Sequence, residues 1–292
     1  MTKSKHRTVT ALLLCALIIL APAALISCGE NKQKSDKLTV AVTIVPQATF
    51  AEAVCGDRVE IITLVPPGYS PENYEPVARL MEKFEDADIY FSIGVPAEEA
   101  RILPAAPKDL KIVALDKAVA SVYAPRYFEE NEPDHHIWLS PKRAALMVRT
   151  MAEEMAKLDP EYADYYTERA EAYIKELEET DTRIIVILSG LQKRKFVAYH
   201  PAFGYFADDY GLEMLALEEE GKEASLKHTQ EMIDLAKAEG LKVIFYQEEI
   251  DVSRSQAYAE EIGGRAVMLS PLAADYIDNL IYMAEQIAAS MG

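Results

Sequence analysis

Cysteine is nearly missing from this chain: 292 residues contain three, Cys15, Cys28 and Cys55. Two of them fall in or beside an apolar N-terminal run, so no disulfide framework and no cysteine-rich metal knuckle can be built from the rest. Cys55 stands among apolar residues before Gly56 and is expected to be a small core side chain. Basic residues are also scarce, 30 Lys and Arg against 48 Asp and Glu, for a net charge of −18. A surface of that sign excludes general binding to nucleic acid or to an anionic bilayer. No phosphate-cradling glycine loop, His-Glu-x-x-His helix or Gly-x-Ser-x-Gly elbow occurs. Tryptophan appears once and histidine five times, so each position can be weighed singly.

The N-terminus has its own character. Lys3, Lys5 and Arg7 precede an apolar run over residues 11–26 that Pro22 interrupts and that ends at Leu25-Ile26-Ser27-Cys28. A basic start, an apolar middle and small residues at the end make a secretory signal over residues 1–27. The run is short for a spanning helix. Loss of that segment moves the charge from −18 to −21, because it carries three basic and no acidic residues. The Leu-x-Ser-Cys ending resembles the lipobox of bacterial-type lipoproteins. It implies lipidation at Cys28, a polar tether over 28–37, and membrane contact through that anchor on the extracytoplasmic face.

Beyond the tether, short β-branched runs alternate with helical stretches. Strands are expected over 38–45, 59–65, 89–93 and 111–115, with helices over 47–54, 77–84 and 98–103 between them. Buried strands separated by helices are the mark of a parallel sheet covered on both faces. After two helices, 141–158 and 161–188, the alternation resumes with strands over 195–199, 213–217, 243–246 and 266–269. The expected fold is α/β: an N-terminal lobe over 38–158, a rigid bridging helix within 159–188, and a C-terminal lobe over 189–292. Tyr162, Tyr165, Tyr166, Tyr173, Ile174 and Leu177 recur at helical spacing, so the bridging helix has a packing face. Each lobe also carries a proline after its first strand, Pro46 and Pro201, and a glycine ending the next helix, Gly56 and Gly211. Two similar lobes place their strand ends at a shared cleft, where such sheets bind ligands.

Three chemistry-bearing residues fall on that edge. Glu72 lies in the loop after the second strand, His136 before the helix capped by Ser140-Pro141, and His200 after the strand ending Val197-Ala198-Tyr199. Two imidazoles and a carboxylate form a set suited to Zn²⁺, and with more oxygen to Mn²⁺. His135 is expected to point away from this set, and His228 to lie on the surface in the first turn of a helix begun by Ser225. Glu219, Glu220 and Glu223 read as a solvated acidic face.

Larger motifs carry a family likeness. Pro67-Gly68-Tyr69-Ser70-Pro71-Glu72-Asn73-Tyr74-Glu75-Pro76 resembles the Pro-Gly-x-Ser-Pro-His-x-Tyr-Glu-Pro loop of the metal-binding receptors of ABC-type zinc and manganese importers. His136-Ile137-Trp138-Leu139-Ser140-Pro141 is similar to their His-x-Trp-Leu-x-Pro motif, and Tyr199-His200-Pro201-Ala202-Phe203 to the segment bearing their third ligand. The resemblance runs from about residue 37 to the C-terminus. It implies two α/β lobes bridged by one long helix, and one divalent metal held in the cleft by Glu72, His136 and His200. Zinc is the first expectation, with manganese or iron as alternatives, and a membrane permease is the implied partner of a monomer. The sequence departs from the family at Glu72, where a histidine is usual, and at Ser270 and Gln247, where carboxylates are usual. Glu248 is then the nearest acidic substitute, so Gln247, Glu248 and Ser270 are the candidates for a fourth ligand or a supporting contact. Because imidazoles bind metal when neutral, affinity is expected to fall below about pH 6.5. Two other readings start from the same cleft: a metal-dependent hydrolase using an open coordination position, and a surface adhesin whose metal cleft is vestigial.

Overall fold

A computed structural model describes residues 37–218, 224–249 and 252–291. The signal segment, Cys28 and the acidic loop with Glu219, Glu220 and Glu223 lie outside the described residues. The first half runs β1 (Leu38–Val42), α1 (Val45–Cys55), β2 (Val59–Thr63), α2 (Ala78–Phe84), β3 (Ile89–Ser92) and β4 (Lys111–Ala114). It continues through α3 (Leu115–Ala120), the strands β5 (Tyr127–Glu129) and β6 (Glu132–Pro133), and α4 (Pro141–Leu158). The long helix α5 (Ala163–Leu188) leads to β7 (Lys195–Ala198), α6 (Gly204–Asp209), β8 (Glu213–Ala216) and α7 (Leu226–Glu239). The chain then follows β9 (Val243–Tyr246), α8 (Val252–Glu261), β10 (Arg265–Met268) and α9 (Tyr276–Met291). No helix of the described residues is long and apolar enough to cross a membrane.

The strands form two four-stranded parallel sheets, in the orders β2-β1-β3-β4 and β10-β9-β7-β8. Read by position in each half, the second order is the first reversed, so the echo between Pro46/Gly56 and Pro201/Gly211 belongs to a repeated topology. Sequence explains which strand sits where. The central β3 buries all four residues of Ile-Tyr-Phe-Ser, and its neighbour β1 buries all but Leu38. The edge strands β4 and β10 leave residues of each exposed. A strand packed on both faces has no polar side to offer, which is why the central ones read as unbroken apolar runs.

Helix α5 is more embedded than a strut. Tyr166, Ala170, Ile174, Leu177, Ile184 and Leu188 fall at spacings of three and four and are buried, and α5 packs against α1, α4 and α9. One apolar core therefore runs from Val40 to Met291 through both sheets. Tyr276 lies inside it, edge-on to Phe50 with ring centroids 4.8 Å apart. Cys55 is buried there as expected, and burial pushes its thiol up to about 12.

Two short elements escape the sequence reading, and the helix expected over 98–103 takes another helical form. Helix α3 starts where β4 ends, with no turn residue between them to mark the change. The acidic stretch before His136 is a small hairpin turning at Asn131, whose φ of 74° is one asparagine tolerates. The segment 98–103 is a π-helical turn followed by a 3₁₀ turn. His228 is half-buried rather than a surface residue: Ser225 caps α7 through the His228 N–H, and the imidazole Nε2 sits 3.1 Å from the Ala216 carbonyl.

Candidate metal site

Each ligand candidate is delivered by a loop with its own anchors. In the first loop, Tyr69 N–H donates to the Pro66 carbonyl across Pro67-Gly68, and Gly68 has φ +81°. That is a type II turn, which needs glycine at its third position. Ser70 then accepts from the Glu72 N–H at 3.3 Å, and the Pro71 carbonyl accepts from Ala97 at 3.0 Å. The segment at 97–98 is in turn fixed by Glu98, buried beneath β1 and β3, whose carboxylate accepts from the Ile93 and Gly94 N–H groups and from Thr43. Burial holds the Glu98 carboxyl above its ordinary value although these donors oppose the shift.

The second loop follows the hairpin. The Asp134 carboxylate accepts from the His136 backbone N–H and faces His136 Nδ1, both at 2.9 Å. It is also paired with Arg126 at 3.2 Å, which reaches Asp208 on α6 at 3.1 Å. After a 3₁₀ turn at Ile137–Leu139, Ser140 caps α4 as expected, accepting from Arg143 N–H. Ser140 Oγ and Arg143 both reach Asp209 at the end of α6, the latter at 2.8 Å. Trp138 Nε1 donates to the Pro271 carbonyl at 2.8 Å, and the Tyr276 hydroxyl donates to the Trp138 carbonyl. The His136 loop is thus bonded to both halves of the molecule.

The third loop is fixed by register. Ala198 pairs with Ala216 on one side and with Phe245 on the other. Two residues further along each strand, His200 stands between Glu218 and Gln247, at the point where the strand order of this sheet reverses. That is where open α/β sheets bind ligands. Glu218 Oε2 lies 2.8 Å from His200 Nδ1.

The three loops bring Glu72, His136 and His200 together, with one ligand atom of each within 4.8 Å of the others. Glu72 Oε1 is 2.9 Å from His200 Nε2 and 4.0 Å from His136 Nε2, and the two Nε2 atoms are 3.3 Å apart. Both histidines are buried, His136 at 6% and His200 at 4% exposure, so a cation here would be almost stripped of water. Each histidine turns Nδ1 to a carboxylate and Nε2 to the common point. Such an outer carboxylate fixes the ring orientation and makes the inner nitrogen a stronger donor.

Without a metal, the same geometry traps a proton. Burial opposes charge on His200, but the hydrogen bonds and charges of Glu218 and Glu72 outweigh it and raise its pKa to about 9. Glu72 is half-buried, and desolvation works against its charge, yet the His200 hydrogen bond and the charges of His200, His136 and His135 hold its carboxyl below its ordinary value. A window near pH 6.5, expected from an unperturbed imidazole, therefore lies too low for His200. His135 is half-buried outside the triad, with its pKa lowered by burial and then by His136.

Of the remaining candidates, Glu248 and Ser270 line a cleft of about 560 Å³ together with Val45, Pro67, Gly68 and Glu249, and Gln247 does not. Glu248 is exposed and is not within the 4.8 Å group. The Ser270 carbonyl accepts from Asn279. Gln247 is buried. Sequence reasoning missed the supporting roles of Asp134 and Glu218. Asp134 stands two residues before His136, a local signal, whereas Glu218 becomes visible only with the pairing of β7 and β8.

Comparison with known proteins places the chain. The zinc-binding lipoprotein AdcA of Streptococcus pneumoniae (strain ATCC BAA-255 / R6) is 29% identical over 276 residues, covering 89% of this chain and 54% of that protein. The chain thus spans about half the length of this streptococcal relative. The high-affinity zinc uptake system protein ZnuA of Bacillus subtilis (strain 168) is 26% identical over 273 residues, covering 88% of this chain and 86% of the relative. A crystal structure of ZnuA superposes with a TM-score of 0.82 at 35% identity, covering 88% of this chain and all of the other. The model of the family described as "ZnuA: Zinc-uptake complex component A periplasmic" matches residues 40–290, and the chain belongs to that family.

Proposed function

We propose that this protein is an extracytoplasmic receptor that captures one divalent transition metal, zinc first, and hands it to an ABC permease. The observation that carries the reading is the meeting of Glu72, His136 and His200 from three loops at one buried point. Two imidazole nitrogens and one carboxylate oxygen are a three-ligand zinc set with one position open. Manganese and iron favour more oxygen, and the two nitrogens here set them behind zinc. The cargo is bound and released without bond making or breaking, in keeping with a family of uptake receptors, and the hydrolase reading is set aside. The receptor acts as a monomer of two lobes, 38–158 and 189–292, joined through 159–188. It is held to the membrane by a lipid on Cys28 after removal of residues 1–27, a reading supported by Leu25-Ile26-Ser27-Cys28. The test is calorimetric titration of Zn²⁺ into wild type and His200→Ala. The variant is expected to lose affinity by a factor of a hundred or more, on the order of 3 kcal/mol, with its secondary structure intact. Equal affinity would remove His200 from the site.

A further inference from the structure

Three protein donors leave a tetrahedral cation one short, and Ser270 brings only a hydroxyl to the cleft wall. The loop after β9 holds two polar atoms that have no hydrogen-bond partner among the described residues although they are buried: Gln247 Nε2 and Glu249 Oε2. Four other buried side-chain atoms, on Arg58, Arg143, Tyr173 and Ser255, also lack a partner among the described residues, but Glu249 Oε2 is the one carboxylate oxygen of the set, and it is the one at the cleft wall. A buried carboxylate oxygen with nothing to accept from is costly and calls for a water or ion. Glu249 lines the cleft beside Glu248 and Ser270, facing Pro67 and Gly68 of the loop that carries Glu72. Burial lifts its carboxyl and Glu248 adds to the rise, while a hydrogen bond from its own backbone N–H and the charge of His200 oppose them. Glu249 therefore stands within electrostatic range of the triad yet outside its 4.8 Å group.

We infer that Glu249 supplies the fourth donor oxygen to the cation held by Glu72, His136 and His200. This rests on the metal-receptor reading above and adds a residue to it. The side chain turns from the cleft wall onto the ion, so the ligand set becomes two nitrogens and two carboxylates. The Gln247 amide then has an acceptor in the second oxygen of that carboxylate, so one event satisfies both orphans. The exposed neighbour Glu248 stays in water. Zn²⁺ bound by two carboxylates and two neutral imidazoles balances the charge of its own donors; of the outer carboxylates, Asp134 is paired with Arg126 and Glu218 faces His200 Nδ1.

Glu249→Gln is the variant to compare with wild type, Glu248→Gln serving as the neighbouring control. Zn²⁺ affinity is expected to fall ten- to hundredfold in Glu249→Gln and to stay within threefold in Glu248→Gln. Co²⁺ bound in place of Zn²⁺ is expected to change its visible absorption in Glu249→Gln alone, since the bands follow coordination number and donor set. The metal-free variant should melt no lower than wild type, because the amide keeps an oxygen for the Glu249 N–H and removes a buried carboxylate oxygen that has no partner, while its Zn²⁺-induced rise in Tm shrinks. Unchanged affinity and Co²⁺ spectrum in Glu249→Gln, with wild type still binding one equivalent, would overturn the role of Glu249 and leave the triad standing. A lower Tm in the metal-free variant with the Co²⁺ spectrum unchanged would make Glu249 merely structural. No binding by wild type would overturn the underlying reading itself.

Discussion

Zinc affinity should climb steeply through neutral and alkaline pH, because the cation must displace a proton from His200. Both nitrogens of that ring face carboxylates, Glu72 at 2.9 Å and Glu218 at 2.8 Å, and its pKa rises to about 9. At pH 7.5 the proton must be removed against about 1.5 pK units, roughly 2 kcal/mol or a thirtyfold loss in apparent affinity. Between pH 6.5 and 8.5 affinity should therefore gain about tenfold per unit, levelling above 9. The stability of the metal-free protein has the opposite sign. A folded-state pKa raised from an ordinary 6.5 contributes stability that is complete below 6.5 and lost as pH passes 9, about 3 kcal/mol from this group. Titrations with chelator-buffered Zn²⁺ at several pH values would measure the first effect, and denaturant melts of metal-free protein the second. Calorimetry at pH 7 in two buffers of different ionisation enthalpy should show about one proton released per ion bound. An affinity flat from pH 7 to 9, with no proton released, would refute the argument. Glu218→Gln removes one of the two carboxylates holding the proton, and should move the plateau to lower pH.

Three further outcomes follow from the geometry. Trp138 is the only tryptophan and its ring lies 5.2 Å from that of His136, so its emission should change on Zn²⁺ addition and saturate at one equivalent. A silent tryptophan under conditions where calorimetry records binding would separate His136 from the metal. Asp134→Asn keeps the shape but weakens the support of His136 Nδ1, and should cost about ten- to hundredfold in Zn²⁺ affinity with little loss of fold. Gly204→Ala would set a Cβ 2.5 Å from Asp134 Oδ2 and 2.7 Å from Arg126. The overpacking should destabilise by about 1–3 kcal/mol in denaturant melts and lower Zn²⁺ affinity without touching a ligand. Normal stability would mean that α6 shifts to make room.

Much of this was legible in the chain because it is written locally. Apolar runs such as 38–42 and 89–92 have no polar side, so central strands could be read directly, and Ser140-Pro141 marked the start of α4. The triad was legible through motifs, since each ligand candidate sits in a loop whose own residues fix its turn. What was hidden depends on which strand lies beside which. Glu218 meets His200 because β7 pairs with β8, and Gln247 flanks it because β7 also pairs with β9. Neither pairing is encoded near residue 200. His228 was misjudged for the same reason, its partner being a carbonyl of the neighbouring strand. The hairpin before His136 was hidden by its acidity, which reads as solvated loop.

The common core through both sheets has a consequence for how the cargo preference of such a receptor can drift. Folding is secured by the apolar interior joined along α5; of the three candidate donors, His136 and His200 are buried against it, whereas Glu72 sits on a half-buried loop outside it. A change of side chain at position 72 would therefore alter the candidate ligand set without disturbing that interior. The set is thus open to rewriting at that one turn on an unaltered chassis.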